Sequence, residues 1–329
     1  MTAQVHREIE VKLEVEQGWT LPSLAPAVAT TQRGRRRTLT ATYYDTPDLR
    51  LARHRITLRR RTGGNDDGWH LKLPAGGEHT RDEVCLPLAA PGDPPRELVW
   101  MVFGITRGAV LSPVATLVNV RQPWLAVGAD GRALAEITDD QVTVQRDGEP
   151  DARFREVEVE AAAGRALHEL DAVVAALTAS GARPSSFASK AARALGEAAR
   201  LAADVDAGAE LGAGVGADSA AGAMHRRVRQ LVGDVQRRDL AVRRDLPHAV
   251  AALARAVADL RGALTAPHSP YQHDWASALA RELGGVTEVI DRAGDSSEFR
   301  ELLREPRYVA LLDRLIDACQ APRLAGERS

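Results

Sequence analysis

Aromatic residues are scarce in this sequence: Phe, Trp and Tyr make up 4% of its 329 positions. Generic binding of single-stranded nucleic acid relies on aromatic platforms for base stacking and is therefore disfavoured. Cysteine is limited to Cys85 and Cys319. Two cysteines so far apart supply neither a disulfide framework nor a zinc site, and they point to a reducing, cytoplasmic setting. Long apolar runs are missing as well. The most apolar-looking stretch, 249–264, is broken by Arg255, Asp259 and Arg261, whereas a membrane span needs ~18–20 uninterrupted apolar residues. Arg7, Glu8, Glu10 and Lys12 crowd the first fifteen positions, so no secretory apolar core and no membrane partner are expected. What the sequence does have is charge of both signs. It carries 43 Lys and Arg against 45 Asp and Glu, a formal net charge of -2, in a chain that is 44% hydrophobic. That balance describes a soluble globular protein, and the length predicts two domains.

The composition changes character near residue 200. Before it, short runs alternate at period two between turn residues, the pattern of strands with two chemically distinct faces. They are Val5–Val15, Leu39–Tyr44, Ile56–Thr62, Trp69–Leu73, Glu83–Leu88, Ala133–Ile137 and Phe154–Glu160. Turn signals at 63–68, 75–77, 130–131 and 147–150 make these hairpins of an antiparallel sheet. Two helices, Arg165–Ala179 and Ser186–Leu201, close this part. Residues 202–222 are almost wholly Ala, Gly, Asp, Val and Glu and read as a flexible linker. From 223 to 329 the periodicity is helical: Met224–Leu240, Pro247–Leu264, Tyr271–Arg292 and Glu298–Cys319 predict a bundle of about four helices. The fold class is thus α+β, with an antiparallel sheet domain over 1–201 followed by an all-α domain.

On a strand, successive side chains point to opposite faces. Glu8, Glu10 and Lys12 therefore share a face opposite Ile9, Val11 and Leu13, and the same parity groups Arg59 with Arg61, His70 with Lys72, and Arg81 with Glu83. Glu136, Thr138 and Asp140 form another such set, and so do Glu156, Glu158 and Glu160. One strand of this kind is an ordinary half-exposed strand. Repetition with segregated signs is different, since acids gather on the first and last strands and bases in the middle. If the sheet closes into a barrel, those outer strands become neighbours and Glu8, Glu10, Glu158 and Glu160 converge on one wall. Carboxylates so placed repel unless cations join them, and oxygen-only ligands favour a hard ion, Mg²⁺ or Mn²⁺, over zinc. Arg59, Arg61, Lys72 and Arg81 would form a facing wall suited to phosphate oxygens.

These residues resemble a known family. Glu8-x-Glu10-x-Lys12 looks like the ExExK signature of CYTH domains, the triphosphate tunnel metalloenzymes. The resemblance continues in order through residues 42–49 (TYYDTPDL), Leu58-Arg59-x-Arg61, Leu71-Lys72, Arg81-x-Glu83, Glu136 with Asp140, Glu156-x-Glu158-x-Glu160, and Ser189-Lys190 with Arg193. It covers about residues 3–200. The resemblance implies an eight-stranded antiparallel β tunnel that hydrolyses or transforms a triphosphate with a divalent metal. By the same resemblance Glu8, Glu10, Asp140, Glu158 and Glu160 hold metal, and Lys12, Arg59, Arg61, Lys72, Arg81, Arg121 and Lys190 hold the phosphate chain. Lys12, Glu10 and Glu158 stand at the centre of the implied catalysis. Tyr43, Tyr44 and Asp45 are expected to be structural, Cys85 inert, and Arg60 turned away from the tunnel.

The helical half resembles a CHAD domain, a family associated with polyphosphate binding, in the frame of residues 248–264 and 283–289. Its chemistry departs from that family: Ala251 stands in place of the histidine, and Ala254, Ala258, Asp259 and Thr287 in place of basic residues. A half-length, degenerate CHAD-like bundle is therefore expected, one that binds polyphosphate weakly or not at all and serves as a folded appendage or a surface for homo-oligomer formation. Its arginines 226, 227, 229, 237, 238, 243 and 244 are diluted by Asp234, Asp239 and Asp245, as on a salt-bridged helix face. The leading functional expectation is hydrolysis of inorganic triphosphate or short-chain polyphosphate. Thiamine triphosphatase and class IV adenylate cyclase rank below it, because only Trp69 and Trp124 could stack on an organic group. A non-catalytic polyphosphate-binding module is the alternative outside enzymes.

Overall fold

In the computed structural model, the described residues are 4–88, 92–146, 148–201, 203–205, 219–267, 269–294 and 297–323. Of the expected linker, 202 and 206–218 lie outside them. The chain divides into two compact units, Met1–Pro95 with Leu111–Arg200, and Arg96–Val110 with Leu201–Ser329.

The first unit holds ten strands, β1 (Gln4–Glu14), β2 (Thr30–Arg33), β3 (Arg37–Asp45), β4 (Thr57–Thr62), β5 (Gly68–Pro74), β6 (Thr80–Pro87), β7 (Ser112–Val127), β8 (Ala133–Arg146), β9 (Glu149–Ala161) and β10 (Arg183–Pro184). Eight follow the order β1-β6-β5-β4-β3-β7-β8-β9, and β1 also pairs with β9, so the antiparallel sheet closes on itself. β2 extends the pairing along β7, and β10 adds to β1. Closure sets Glu10 opposite Glu160 and Lys12 opposite Glu158.

β7 escaped the sequence reading because it carries Pro113 and Pro123, residues that cannot donate to a ladder and argue against a central strand. The fold accommodates one with a bulge in β7 and the other with an interruption of the partner. The β3–β7 register shifts between Tyr43 and Tyr44, where Tyr44 meets Pro113. Opposite Pro123 the partner interrupts between Arg33 and Arg37, with Gly34 N–H donating to the Pro123 carbonyl at 2.9 Å. A Cβ on Gly34 would stand 2.9 Å from the Pro123 ring, so this approach suits glycine.

A short helix, α1 (Arg50–Arg53), follows β3. The buried Asp45 carboxylate accepts from the Thr46, Leu51 and Ala52 amides at 2.7, 2.9 and 2.9 Å, satisfying donors that a helix start leaves without partners. The outer face of β1, β8 and β9, with Leu13, Ile137, Val157 and Val159, packs on Leu170, Val173 and Leu177. These last come from a 3₁₀ turn, Leu167–Leu170, and α3 (Asp171–Ala179), where one continuous helix was expected. The second expected helix is also two pieces once α2 (Arg96–Thr106) is counted earlier in the chain: α4 (Lys190–Leu195), capped by Ser189, and α5 (Glu197–Arg200). Gly196 separates them with φ of 68°, a left-handed break that glycine accepts readily. Ala191 of α4 packs against Leu117, Val142, Val144 and Phe154, an apolar cluster within the barrel unit.

The second unit contains α2, α6 (Ala220–Arg243), α7 (Ala249–Leu264), α8 (His273–Ala293), α9 (Ser297–Leu302) and α10 (Pro306–Gln320). Pro306 divides the expected fourth helix by starting α10 at its first turn. The core includes Val228, Leu231, Leu253, Leu260, Leu283, Phe299, Leu312 and Leu315. Asp239 at its edge takes two bonds from Arg243, at 2.7 and 3.0 Å, and one from Tyr308 at 2.9 Å. Arg243 also lies over Trp100 and Phe103 of α2.

Asp45→Ala should destabilise the barrel unit by about 1–3 kcal/mol, since three amides lose a buried acceptor. Urea unfolding against the wild type measures this; an unchanged midpoint would rule out the capping role.

Candidate active site

The charged strands bring their inward faces to one cavity of about 260 Å³. Glu8, Glu10, Lys12, Arg59, Arg61, Lys72, Arg81, Arg121, Glu158, Glu160 and Lys190 all line it. Asp140 is fully buried behind Arg121 and Lys190.

At the centre, three cations converge on Glu158. Lys12 Nζ stands 2.7 Å from its Oε1, Lys190 Nζ 2.8 Å from the same oxygen, and Arg121 Nη2 2.9 Å from Oε2. Burial pushes the Glu158 carboxyl up, yet Lys12, Lys190 and Arg121 outweigh it and hold the group well below the usual carboxylate range. Arg121 grips Asp140 with two bonds, at 2.8 and 2.7 Å. Burial again opposes ionisation there, but Arg121 and Lys190 hold Asp140 down to about 2. Lys190 also reaches Glu156 at 2.6 Å. It sits at the first position of α4, so the Ser189 cap and the packing of Ala191 determine where its ammonium lies.

Lys12 bridges Glu158 and Glu10, at 2.7 Å from each. Burial works against its charge, but the two carboxylates prevail and raise it above the ordinary lysine range. In this state Lys12 is a fixed ammonium and not a proton acceptor. Lys72 pairs with Glu8 at 2.5 Å and lies 4.0 Å from Glu83. Arg59 reaches the same Glu83 oxygen at 3.5 Å and the Tyr43 hydroxyl at 3.4 Å.

The opposite balance holds at Glu160. Burial and then the Glu8 carboxylate push its carboxyl up to about 7, and His6 Nε2 stands 3.9 Å from it. Glu10 faces Glu160 across β1–β9, and Glu136 faces it across β8–β9. Here oxygen donors outnumber cations, which suits a hard divalent ion. Asp140, Glu156 and Glu158 also place carboxylate oxygens within 4.8 Å of one another, with Lys190, Arg121 and Lys12 already among them.

Several cavity residues were not singled out for the site by sequence. Tyr43, expected to be structural, turns its hydroxyl inward, while Tyr44 packs on Trp69 at 5.0 Å between ring centroids. Arg55, Thr57 and Asp66 lie in turns or at a strand start, where period two gives no warning. Glu83 and Glu136 were noted for parity, and both line the cavity. His70, Glu83 and Cys85 bring nitrogen, oxygen and sulfur within 4.8 Å. His70 Nδ1 is 3.1 Å from Glu83 and 3.4 Å from Cys85 Sγ. Burial, followed by Glu83, pushes the Cys85 thiol up to about 12, away from the reactive thiolate.

A sequence profile for the CYTH domain matches residues 6–194. The chain belongs to the CYTH family. Its relatives include two uncharacterized proteins of Mycobacterium tuberculosis, from strains H37Rv and CDC 1551, each 34% identical over 98% of this chain. The chain spans 62% of the length of each. Among solved structures, a candidate adenylate cyclase from Bacillus halodurans is 17% identical, covering 57% of this chain and 97% of its own, with a TM-score of 0.42. A candidate adenylyl cyclase from Hippeastrum with a dominant triphosphatase activity is 19% identical over 56% of this chain and 93% of its own, with a TM-score of 0.35. No helix among the described residues of this CYTH protein is long and apolar enough to cross a membrane.

Because the Glu160 pKa is raised in the folded state, folded protein binds more protons than unfolded protein between the ordinary carboxylate range and about 7. Stability contributed by this group is therefore present at low pH and lost as pH rises through that window. With chelator present, Glu160→Gln should raise the melting temperature at pH 8 and flatten its fall from pH 5. A variant melting profile parallel to that of the wild type would contradict the assignment.

Proposed function

We propose that this CYTH protein hydrolyses inorganic triphosphate or short-chain polyphosphate with the help of Mg²⁺ or Mn²⁺. The observation that carries this reading is a barrel interior with a carboxylate-rich wall at Glu8, Glu10 and Glu160 and cations at Arg59, Arg61, Lys72, Arg81 and Arg121. A chain of phosphates presents anionic oxygens along its whole length, and arginine forks bind two of them at once. Trp69 is buried against Tyr44 and Trp124 packs on the core outside β8 and β9, so neither lines the cavity. Tyr43 is the one Phe, Trp or Tyr side chain among the cavity residues and its hydroxyl is taken up by Arg59, a scarcity of stacking surface that supports an inorganic substrate over a nucleotide or thiamine ester.

Glu8, Glu10 and Glu160 would hold the metal, with Glu136 in reach of the same position by register. The ion supplies charge neutralisation on phosphoryl oxygens and a more acidic water. Arg59, Arg61 and Lys72 orient the chain, and Lys12 and Lys190 remain protonated to stabilise charge on the oxygens of the leaving phosphate. Glu158 fixes Lys12, Lys190 and Arg121 in place, a positioning role, whereas Glu10 both anchors Lys12 and offers oxygen to metal. Asp140 acts through Arg121 and Lys190.

The helical unit is read as a degenerate CHAD-like bundle. On its surface Ala254, Ala258, Arg261, Thr287 and Asp291 line one depression with a single basic residue among them, which supports weak polyanion affinity there.

Phosphate release from tripolyphosphate, measured with and without Mg²⁺ or Mn²⁺, tests the reading. Binding without turnover under any divalent ion would favour a non-catalytic module. Glu10→Gln should lower kcat by roughly two orders of magnitude or more, since charge stabilisation by metal is worth several kcal/mol. Arg59→Ala should mainly raise KM, by about tenfold or more for one charge-assisted contact.

A further inference from the structure

The tunnel cavity has a neighbour of about 490 Å³, and Arg61, Asp66, Arg121 and Glu136 line both. The shared residues make a junction. Beyond it the neighbouring cavity is lined by Arg33, Arg35 and Arg37, on either side of the break that Pro123 imposes between β2 and β3. Arg33 ends β2, Arg37 begins β3 and Arg35 lies in the break between them, and all three line one mouth. Five arginines thus stand in this vestibule against two carboxylates, Asp66 and Glu136. Among the described residues, none of Arg33, Arg35 and Arg37 has a carboxylate partner.

Within the junction Arg121 is held from the tunnel side by Asp140 and Glu158, and the vestibule side is short of negative charge. Arg37 lies directly across from Arg121 in the β3–β7 register, and like charges in that position repel. Arg61 is only 7% exposed, and its Nε and that of Arg59 are buried without a hydrogen-bond partner. Burial and then Arg59 draw the Arg61 guanidinium down to about 10. Among the described residues its carboxylate partner is Asp66, from the turn between β4 and β5, whose side chain is 60% exposed. An anion entering the junction would meet the Arg61 guanidinium and screen Arg37 from Arg121.

We propose that this vestibule is a distal phosphate subsite. A linear phosphoanhydride chain longer than triphosphate would keep its reacting end among the tunnel cations, pass Arg61 and Arg121, and lie along Arg33, Arg35 and Arg37. The Asp66 carboxylate holds the place of a phosphate at Arg61 until the chain displaces it. No aromatic side chain lines the vestibule, so a repeating inorganic chain fits better than a stacked base. The assignment rests on the triphosphatase reading and adds to it a preference for chain length.

The test compares tripolyphosphate, a longer linear polyphosphate of defined length and ATP as substrates of the full chain with Mg²⁺ or Mn²⁺. The proteins are the wild type, the triple variant Arg33→Ala/Arg35→Ala/Arg37→Ala, the matching triple lysine variant, and Asp66→Asn. For the wild type, KM for the longer chain should fall below that for tripolyphosphate. The alanine variant should raise KM for the longer chain by about tenfold or more while leaving both constants for tripolyphosphate within about twofold, the scatter expected of distant sites. The dependence of log KM on log salt should lose about 2 in slope for the longer chain, from three phosphate contacts at ~0.7 each, and the lysine variant should keep that slope. Asp66→Asn should lower KM for the longer chain.

Equal KM values for the two polyphosphates in the wild type would overturn the subsite, as would an alanine variant that shifts both alike. A rise in KM for ATP alone would reassign the vestibule to nucleotides. If the wild type releases no phosphate from tripolyphosphate, the triphosphatase reading fails instead. Equilibrium binding of the longer chain to wild type and alanine variant then still decides the vestibule, equal affinities overturning it.

Discussion

The interior of the barrel unit is organised around the convergence of Lys12, Arg121 and Lys190 on the one carboxylate of Glu158. Buried charges are expensive in a medium of low dielectric, and removing any partner from such a set leaves another uncompensated. The arrangement therefore tolerates little displacement of β1, β7, β9 or α4, the four elements that supply the groups. An apolar plug of similar shape would make a barrel too, but it would leave no site for an anion.

The same network separates two kinds of acid that look alike in sequence. Asp140 and Glu158 are saturated with cations and held ionised, so their oxygens are engaged before any ligand arrives. Glu160, one residue pair further along β9, is surrounded by Glu8 and Glu10 and drifts toward neutrality. Unequal distribution of cations over one continuous row of carboxylates thus creates a positioning half and a half with spare oxygen donors.

Proline shapes the unit in a second way. Pro113 and Pro123 remove ladder donors from β7, and the pairing answers with a register shift at one and an interruption between β2 and β3 at the other. Strand alternation turns Tyr43 and Tyr44 to different environments, and arginines line the mouth at the interruption. In the helical unit, Gly104 makes room for a comparable buried charge: a Cβ there would fall 1.8 Å from the Asp239 carboxylate, which Arg243 and Tyr308 hold.

Period-two alternation in β1, β4, β5, β6 and β9 was enough to tell which side chains share a face, because strand geometry makes parity a local property. The α+β class, the strand-rich first part and the helical second part were legible for the same reason, as was the membership of Glu8, Glu10, Lys12, Arg59, Arg61, Lys72 and Arg81 in one inward set. The sequence was silent where local rules conflict. β7 reads as irregular because of its prolines, α2 sits within the strand-rich region yet belongs to the helical unit, and Gly196 and Pro306 divide helices whose apolar period runs on. Pairing of charges lay beyond it altogether. Whether Asp140 faces a cavity or stands behind Arg121, and whether Lys12 is a base or a clamped ammonium, depends on distances of a few ångströms between residues far apart in the chain. Those distances exist only once β1 has closed against β9, since electrostatic energy follows spatial separation and burial, and neither is written in the order of residues.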